Sequence, residues 1–337
     1  MVTTGALRPF TARTCALASV CALAAACNFP SETGLFVPPT ADEDPLLPQT
    51  SVFVADRIAS VHIEAFGDKG NPTVLVLHGA LSDYRSLGLF EELADDFRVV
   101  MWDRRGSGLS QRIDKAQIGD DFVIQEIEAI REQYAGDDPV AIVGHDFGAA
   151  HATAYAARYP DHVAALVLIE APGLNGTIFS ATYGQVFRFD LFDPAFNELQ
   201  WDSQVLTAGN HERMDFKAVT VLEEGGLYND YCGTPLVSWP VWRPGAYVYF
   251  EWRRQHGGRN GPYVFDYAAG ISRWDGNALL LGSSCSALGA GYQAAYNAPL
   301  FDRPKVVEIP GSGHRMLVER PDTVLSEVRG HLDEWDD

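Results

Sequence analysis

From residue 73 onward, short blocks of apolar and β-branched residues alternate with longer stretches of helical period. The blocks are residues 73–77 (TVLVL), 98–101, 139–143 (PVAIV), 164–169, 278–281 (ALLL) and 305–308. Blocks this short and this continuously apolar read as strands buried on both faces. Residues 51–55 and 59–65 alternate instead and predict an opening hairpin. Helical patterns follow at 149–158 and from about 321 to 335. Strand–helix alternation of this kind predicts the α/β class, with a mostly parallel sheet of about eight strands covered by helices on both faces. In such sheets functional groups gather at the carboxyl ends of the strands.

Residues 172–274 break the rhythm. The stretch is rich in Trp, Tyr, Phe and Gly and holds no strong period. A loop of that length without structure is improbable inside a compact domain. It predicts an inserted, mainly helical lid, with residues 51–171 and 275–337 as the core.

The N-terminus follows other rules. In residues 1–27 the only charges, Arg8 and Arg13, precede an apolar run over 16–26. That run is too short to span a bilayer and has the layout of an export signal. Its end, Leu23-Ala24-Ala25-Ala26-Cys27, resembles a bacterial lipobox with Cys27 as the lipidated residue, although the leucine stands one position early. Plain secretion is the alternative, and either way an exported protein is expected. Residues 28–50 are rich in Pro, Thr and acids and read as a tether. Beyond Cys27 only Cys232 and Cys285 remain, as a disulfide in an oxidising compartment or as two unrelated buried thiols. The net charge of −20 argues against nucleic acid as a partner, because phosphate binding needs a basic surface. A small-molecule substrate is expected, and membrane contact only through the lipid.

The candidate chemistry sits at strand ends. After PVAIV the chain reads Gly144-His145-Asp146-Phe147-Gly148-Ala149, the spacing G-x-nucleophile-x-G of a tight strand–turn–helix junction. His78-Gly79-Ala80 follows TVLVL, Trp102-Asp103-Arg104-Arg105-Gly106-Ser107-Gly108 follows the next strand, and His314 follows the last. From about residue 73 to its end the chain therefore resembles the α/β-hydrolase superfamily. WDRRGSGLS and PGSGH look like proline-iminopeptidase relatives, whereas GHDFGA resembles epoxide hydrolases and haloalkane dehalogenases. The resemblance implies Asp146 as nucleophile, His314 as base, and the backbone N–H groups of Ala80 and Phe147 as oxyanion donors. The loop after ALLL, where the family often keeps its acid, holds no carboxylate. Glu170, 24 residues after Asp146 at the end of the preceding strand, is the expected acid. His78, His145, Asp103 and Arg104 are expected to shape and brace loops.

An aspartate nucleophile restricts the reaction. Attack on an ester or amide carbonyl would give a mixed anhydride, uphill from either substrate. A carboxylate suits a saturated carbon bearing a leaving group, and yields an alkyl ester that His314 and water then hydrolyse. No metal or organic cofactor is needed for this. Phe147 and Ala80 stand where family dehalogenases place halide-binding side chains, which favours a small epoxide, with Tyr247 or Tyr249 of the lid as proton donor. The alternatives are a dehalogenase-like enzyme, a hydrolase derived from an esterase or peptidase, and a non-catalytic binding protein that uses the lid cleft.

Overall fold

The computed structural model describes residues 38–55, 57–182, 209–223, 240–257 and 262–336. Eight strands form one sheet: β1 (Gln49–Val54), β2 (Arg57–Phe66), β3 (Thr73–Leu77), β4 (Arg98–Trp102), β5 (Val140–His145), β6 (Val163–Ile169), β7 (Asn277–Ser283) and β8 (Arg303–Ile309). Their spatial order is β1-β2-β4-β3-β5-β6-β7-β8. β2 pairs antiparallel with both β1 and β4, and all later pairs are parallel.

The helices that matter here are α1 (Asp120–Ala135), α2 (Phe147–Arg158), α3 (Gly176–Thr182), α4 (Asn210–Glu223), α5 (Ala246–His256) and α6 (Pro321–Asp336). The central strands β3 and β5 are buried throughout, because both faces are covered. Odd and even positions of β3 divide between two hydrophobic clusters: Leu75 and Leu77 join one, Val74 and Val76 the other. The first cluster includes residues of α1, α2 and α5, and the second Val324, Val328 and Leu332 of α6. Burial of this kind, at roughly 25 cal/mol per Å² of apolar surface, is what holds the layers together.

Two findings refine the organisation read from the sequence. The end of the expected tether, residues 38–50, packs on the core instead of hanging free. Thr40 is buried, the Ala41 N–H donates to Leu109 O at 2.7 Å, and Gln49 already belongs to β1. The acidic residues there are used locally, since Glu43 accepts from the Thr40 N–H at 3.1 Å and Asp42 from its hydroxyl at 2.7 Å. The insertion between β6 and β7 contributes α3, α4 and α5 among the described residues. Residues 1–37, including Cys27, lie outside the described residues, as does Cys232. Among the described residues no helix is long and apolar enough to cross a membrane.

Candidate active site

β5 and β6 pair in parallel with His145 opposite Ile169, so the next residue of each strand, Asp146 and Glu170, leaves the sheet side by side. Both turn with a positive φ, +50° at Asp146 and +49° at Glu170. Non-glycine residues rarely adopt this backbone, and its appearance twice at one sheet edge marks stored strain. At Asp146 the strain is held by tight packing of strand against helix. A Cβ on Gly148 would lie 2.2 Å from Leu77 O, so only glycine lets α2 start this close to β3. Backbone atoms cannot step aside as a flexible side chain would. Gly148→Ala is therefore expected to destabilise the fold by on the order of 3 kcal/mol. Urea denaturation would show this as a lowered midpoint at constant slope, and an unchanged midpoint would contradict the packing described.

The Asp146 carboxylate is cradled by backbone. The Ala80 N–H donates to Oδ2 at 3.0 Å, and the Phe147 N–H provides a second hydrogen bond. Gly79 permits the approach, because a Cβ there would sit 3.0 Å from Oδ2. Burial pushes the Asp146 pKa up, against the opposing pull of His314, the two N–H groups and Arg104. The two residues expected as oxyanion donors thus both donate to the carboxylate of the expected nucleophile.

The expected acid and base also meet. His314 Nδ1 lies 3.3 Å from Glu170 Oε2. The Ser283 N–H donates to Glu170 Oε1 at 2.7 Å, and the Ser286 side chain adds a further bond. The serine-rich loop after β7, which lacks a carboxylate of its own, therefore grips the one delivered by β6. Burial raises the Glu170 pKa, but the His314 bond and charge with the Ser283 and Ser286 donors outweigh it and hold the carboxyl below its ordinary value. His145 packs its ring 4.7 Å from that of His314 and meets the His314 carbonyl through Nε2 at 3.2 Å. Burial pushes His145 well below the ordinary imidazole range, so it is neutral and serves to position the loop.

The loop after β4 braces the cradle as expected. Asp103 accepts from the N–H groups of Tyr84 at 2.9 Å and Leu109 at 2.8 Å. His78 accepts the Arg104 N–H at Nε2, 3.1 Å, which leaves Nδ1 protonated to donate to Gly79 O at 2.9 Å. Burial and the Arg104 charge bring His78 down to about 3, so it carries no proton at neutral pH beyond this one.

A cavity open to solvent reaches Ala80 and Phe147, the two residues that hold Asp146. Its walls combine apolar side chains such as Ile113, Phe122 and Val248 with Arg104, Asp120 and His151. Of the two candidate tyrosines only Tyr249 lines it. Two residues apart on α5 means about 200° of rotation, so both cannot face one cavity. The Tyr247 ring instead packs on His211 at 4.5 Å. Burial, above all, raises the Tyr249 pKa, and the nearby Asp146 charge adds to this, so its hydroxyl stays protonated.

The polar wall of the cavity was not among the sequence expectations. Asp120 accepts from Trp252 Nε1 at 2.9 Å, the Tyr267 hydroxyl at 2.8 Å and His256 Nε2 at 2.9 Å. Arg104 Nη1 meets His151 Nδ1 at 2.9 Å. These residues come from α1, α2, α5, the segment between α5 and β7, and a β4 loop, and only Arg104 lies in a recognisable motif. Cys285, at the β7 loop, is disulfide-bonded; Cys232, its expected partner, lies outside the described residues.

Comparison with known proteins agrees with this architecture. Residues 72–321 match a family model described as the alpha/beta hydrolase fold. A proline iminopeptidase of Thermoplasma volcanium is 25 % identical over 205 residues, 60 % of this chain and 66 % of that protein. Epoxide hydrolase 4 of Homo sapiens is 31 % identical over 141 residues, 41 % of this chain and 39 % of its own length. Against the first three curated relatives the match spans 66 % or less of their length. Among solved structures, one from a study of novel epoxide hydrolases in hot-environment metagenomes superposes with a TM-score of 0.61 at 18 % identity, covering 85 % of this chain and 98 % of that one. A membrane phospholipase A superposes at 0.58 and 20 % identity, over 96 % and 92 %.

Proposed function

Because this chain belongs to the α/β-hydrolase fold family, we propose that it is a hydrolase working through an ester on Asp146, with small epoxides as substrates. The observation that carries the reading is the cradle: an elbow carboxylate accepts from two backbone N–H donors, that of Ala80 at Oδ2, while an imidazole backed by a glutamate stands beside it. With Oδ2 held, Oδ1 is the oxygen that attacks. A bond forms from Oδ1 to the epoxide carbon as the carbon–oxygen bond of the ring breaks. The alkoxide takes a proton from the Tyr249 hydroxyl. Oδ2 is by then the carbonyl oxygen of an ester, already placed where a tetrahedral oxyanion needs its donors. His314 removes a proton from water, hydroxide adds to the Asp146 Cγ, the Cγ–Oδ1 bond breaks, and the departing diol oxygen takes the proton of the new carboxyl group, while the proton on His314 returns through solvent to the Tyr249 phenolate.

The same geometry speaks against a halide. The Trp252 indole N–H on the cavity wall is engaged by Asp120 and the Tyr267 hydroxyl, 2.9 Å each. Phe147 offers no side-chain donor. Both epoxide hydrolases and proline iminopeptidases occur among the relatives, and an aspartate is the nucleophile suited to the former's substrates.

The test is diol formation from a panel of small alkyl and aryl epoxides, run beside haloalkanes and activated esters. Epoxide turnover is expected, with an acid limb in kcat/KM set by Asp146. Burial raises that carboxyl, so activity is expected to fall with decreasing pH at a value above the ordinary aspartate pKa of about 3.9. Glu170, whose pKa is lowered, is not the source of the limb. Ester hydrolysis without any epoxide turnover would sink the reading.

A further inference from the structure

We propose that the cavity takes substrates carrying a carboxylate on an apolar body, with Arg104 and Arg105 binding the anion. The proposal rests on the reading above for which group reacts; the anion site itself rests on the cavity alone.

Both arginines line the cavity. Arg105 is 3 % exposed, and its Nε donates to Glu126 Oε2 at 2.6 Å. Its two terminal nitrogens, Nη1 and Nη2, are buried and have no hydrogen-bond partner. Four guanidinium N–H bonds facing no acceptor are costly in a protein interior, and the planar fork they form matches a carboxylate. Arg104 spends its donors on neutral groups, Gly79 O at 2.7 Å and His151 Nδ1 at 2.9 Å. Among the described residues no carboxylate pairs with it within 4.0 Å. Asp146 influences it only through space, its Oδ2 being held by the Ala80 N–H.

The other charges near the wall are compensated. Glu126 balances Arg105, and Asp120 is balanced by His256 at 2.9 Å. His78 and His151 are both pushed down by burial and neutral. Arg104 then faces only the through-space charge of Asp146, and the single unpartnered fork of Arg105 matches one carboxylate better than a phosphate. The remaining lining, including Ile113, Ile118, Phe122, Val123 and Val248, asks for an apolar body.

Unreactive probes separate this proposal from the proposed reaction. Calorimetry on the full chain compares phenylbutyrate with phenylbutyramide, which has the same body and no charge. The acid is expected to bind at least about tenfold more tightly, as for a charge-assisted bond gained in a buried site. Arg104→Met is expected to reduce that preference. Arg105→Lys keeps a charge for Glu126 but loses the fork, and is expected to reduce it as well; melting temperatures check that both variants fold. In turnover, an oxiranyl benzoate is expected to outperform its methyl ester in kcat/KM by a similar factor. Equal binding of acid and amide by wild type overturns the proposal, as does a preference that survives both substitutions. Preferential binding of the acid with no epoxide turned over overturns the proposed reaction and leaves the anion site standing.

Discussion

Asp146→Asn is expected to lower epoxide turnover by about four orders of magnitude or more, the loss seen when a covalent nucleophile is removed. The amide is isosteric, and its oxygen can still accept from the Ala80 and Phe147 N–H groups, so the cradle persists while the attacking anion is gone. The fold should not suffer. Burial raises the Asp146 pKa, so the folded state binds that proton more tightly than the unfolded chain. The resulting cost of ionisation grows as pH rises from the unfolded value of about 3.9 through the raised folded value. Asparagine removes it. The melting temperature of the variant is expected to equal or exceed that of wild type. Residual turnover within tenfold of wild type would remove Asp146 from the chemistry.

How much of this was legible in the sequence follows from what each feature depends on. The strands were, because TVLVL, PVAIV and ALLL are buried on both faces and hydrophobic burial writes itself directly into composition. Asp146 and His314 were legible through the glycines that their turns require. Glu170 followed from the loop after β7, which holds no carboxylate, and the structure pairs Glu170 with the Ser283 N–H at the end of that strand. The wall formed by Arg104, Asp120, His151 and Trp252 was not legible. Its members lie on four elements far apart in the chain and meet only through packing, which leaves no local spacing to read. Residues 38–50 looked like a tether because turn-forming acids and prolines compose both tethers and ordered turns; the Ala41–Leu109 bond that decides between them is a tertiary contact.

The second large effect belongs to the Glu170–His314 pair. Glu170→Gln is expected to cut kcat by about a thousandfold or more, since an amide can hold the imidazole in the wrong tautomer and cannot stabilise its cation. The first step, attack by Asp146 on carbon, needs neither residue, so the two steps should come apart. His314→Gln tests this most directly. Incubated with an epoxide that wild type turns over, the variant is expected to gain the mass of one substrate molecule in the intact protein, with the adduct mapping to the peptide that contains Asp146. Wild type should show no accumulated adduct, and Asp146→Asn none at all. If His314→Gln fails to turn over the substrate yet never gains that mass under single-turnover conditions, Asp146 does not attack carbon, and the account of this site as an aspartyl-ester hydrolase is wrong.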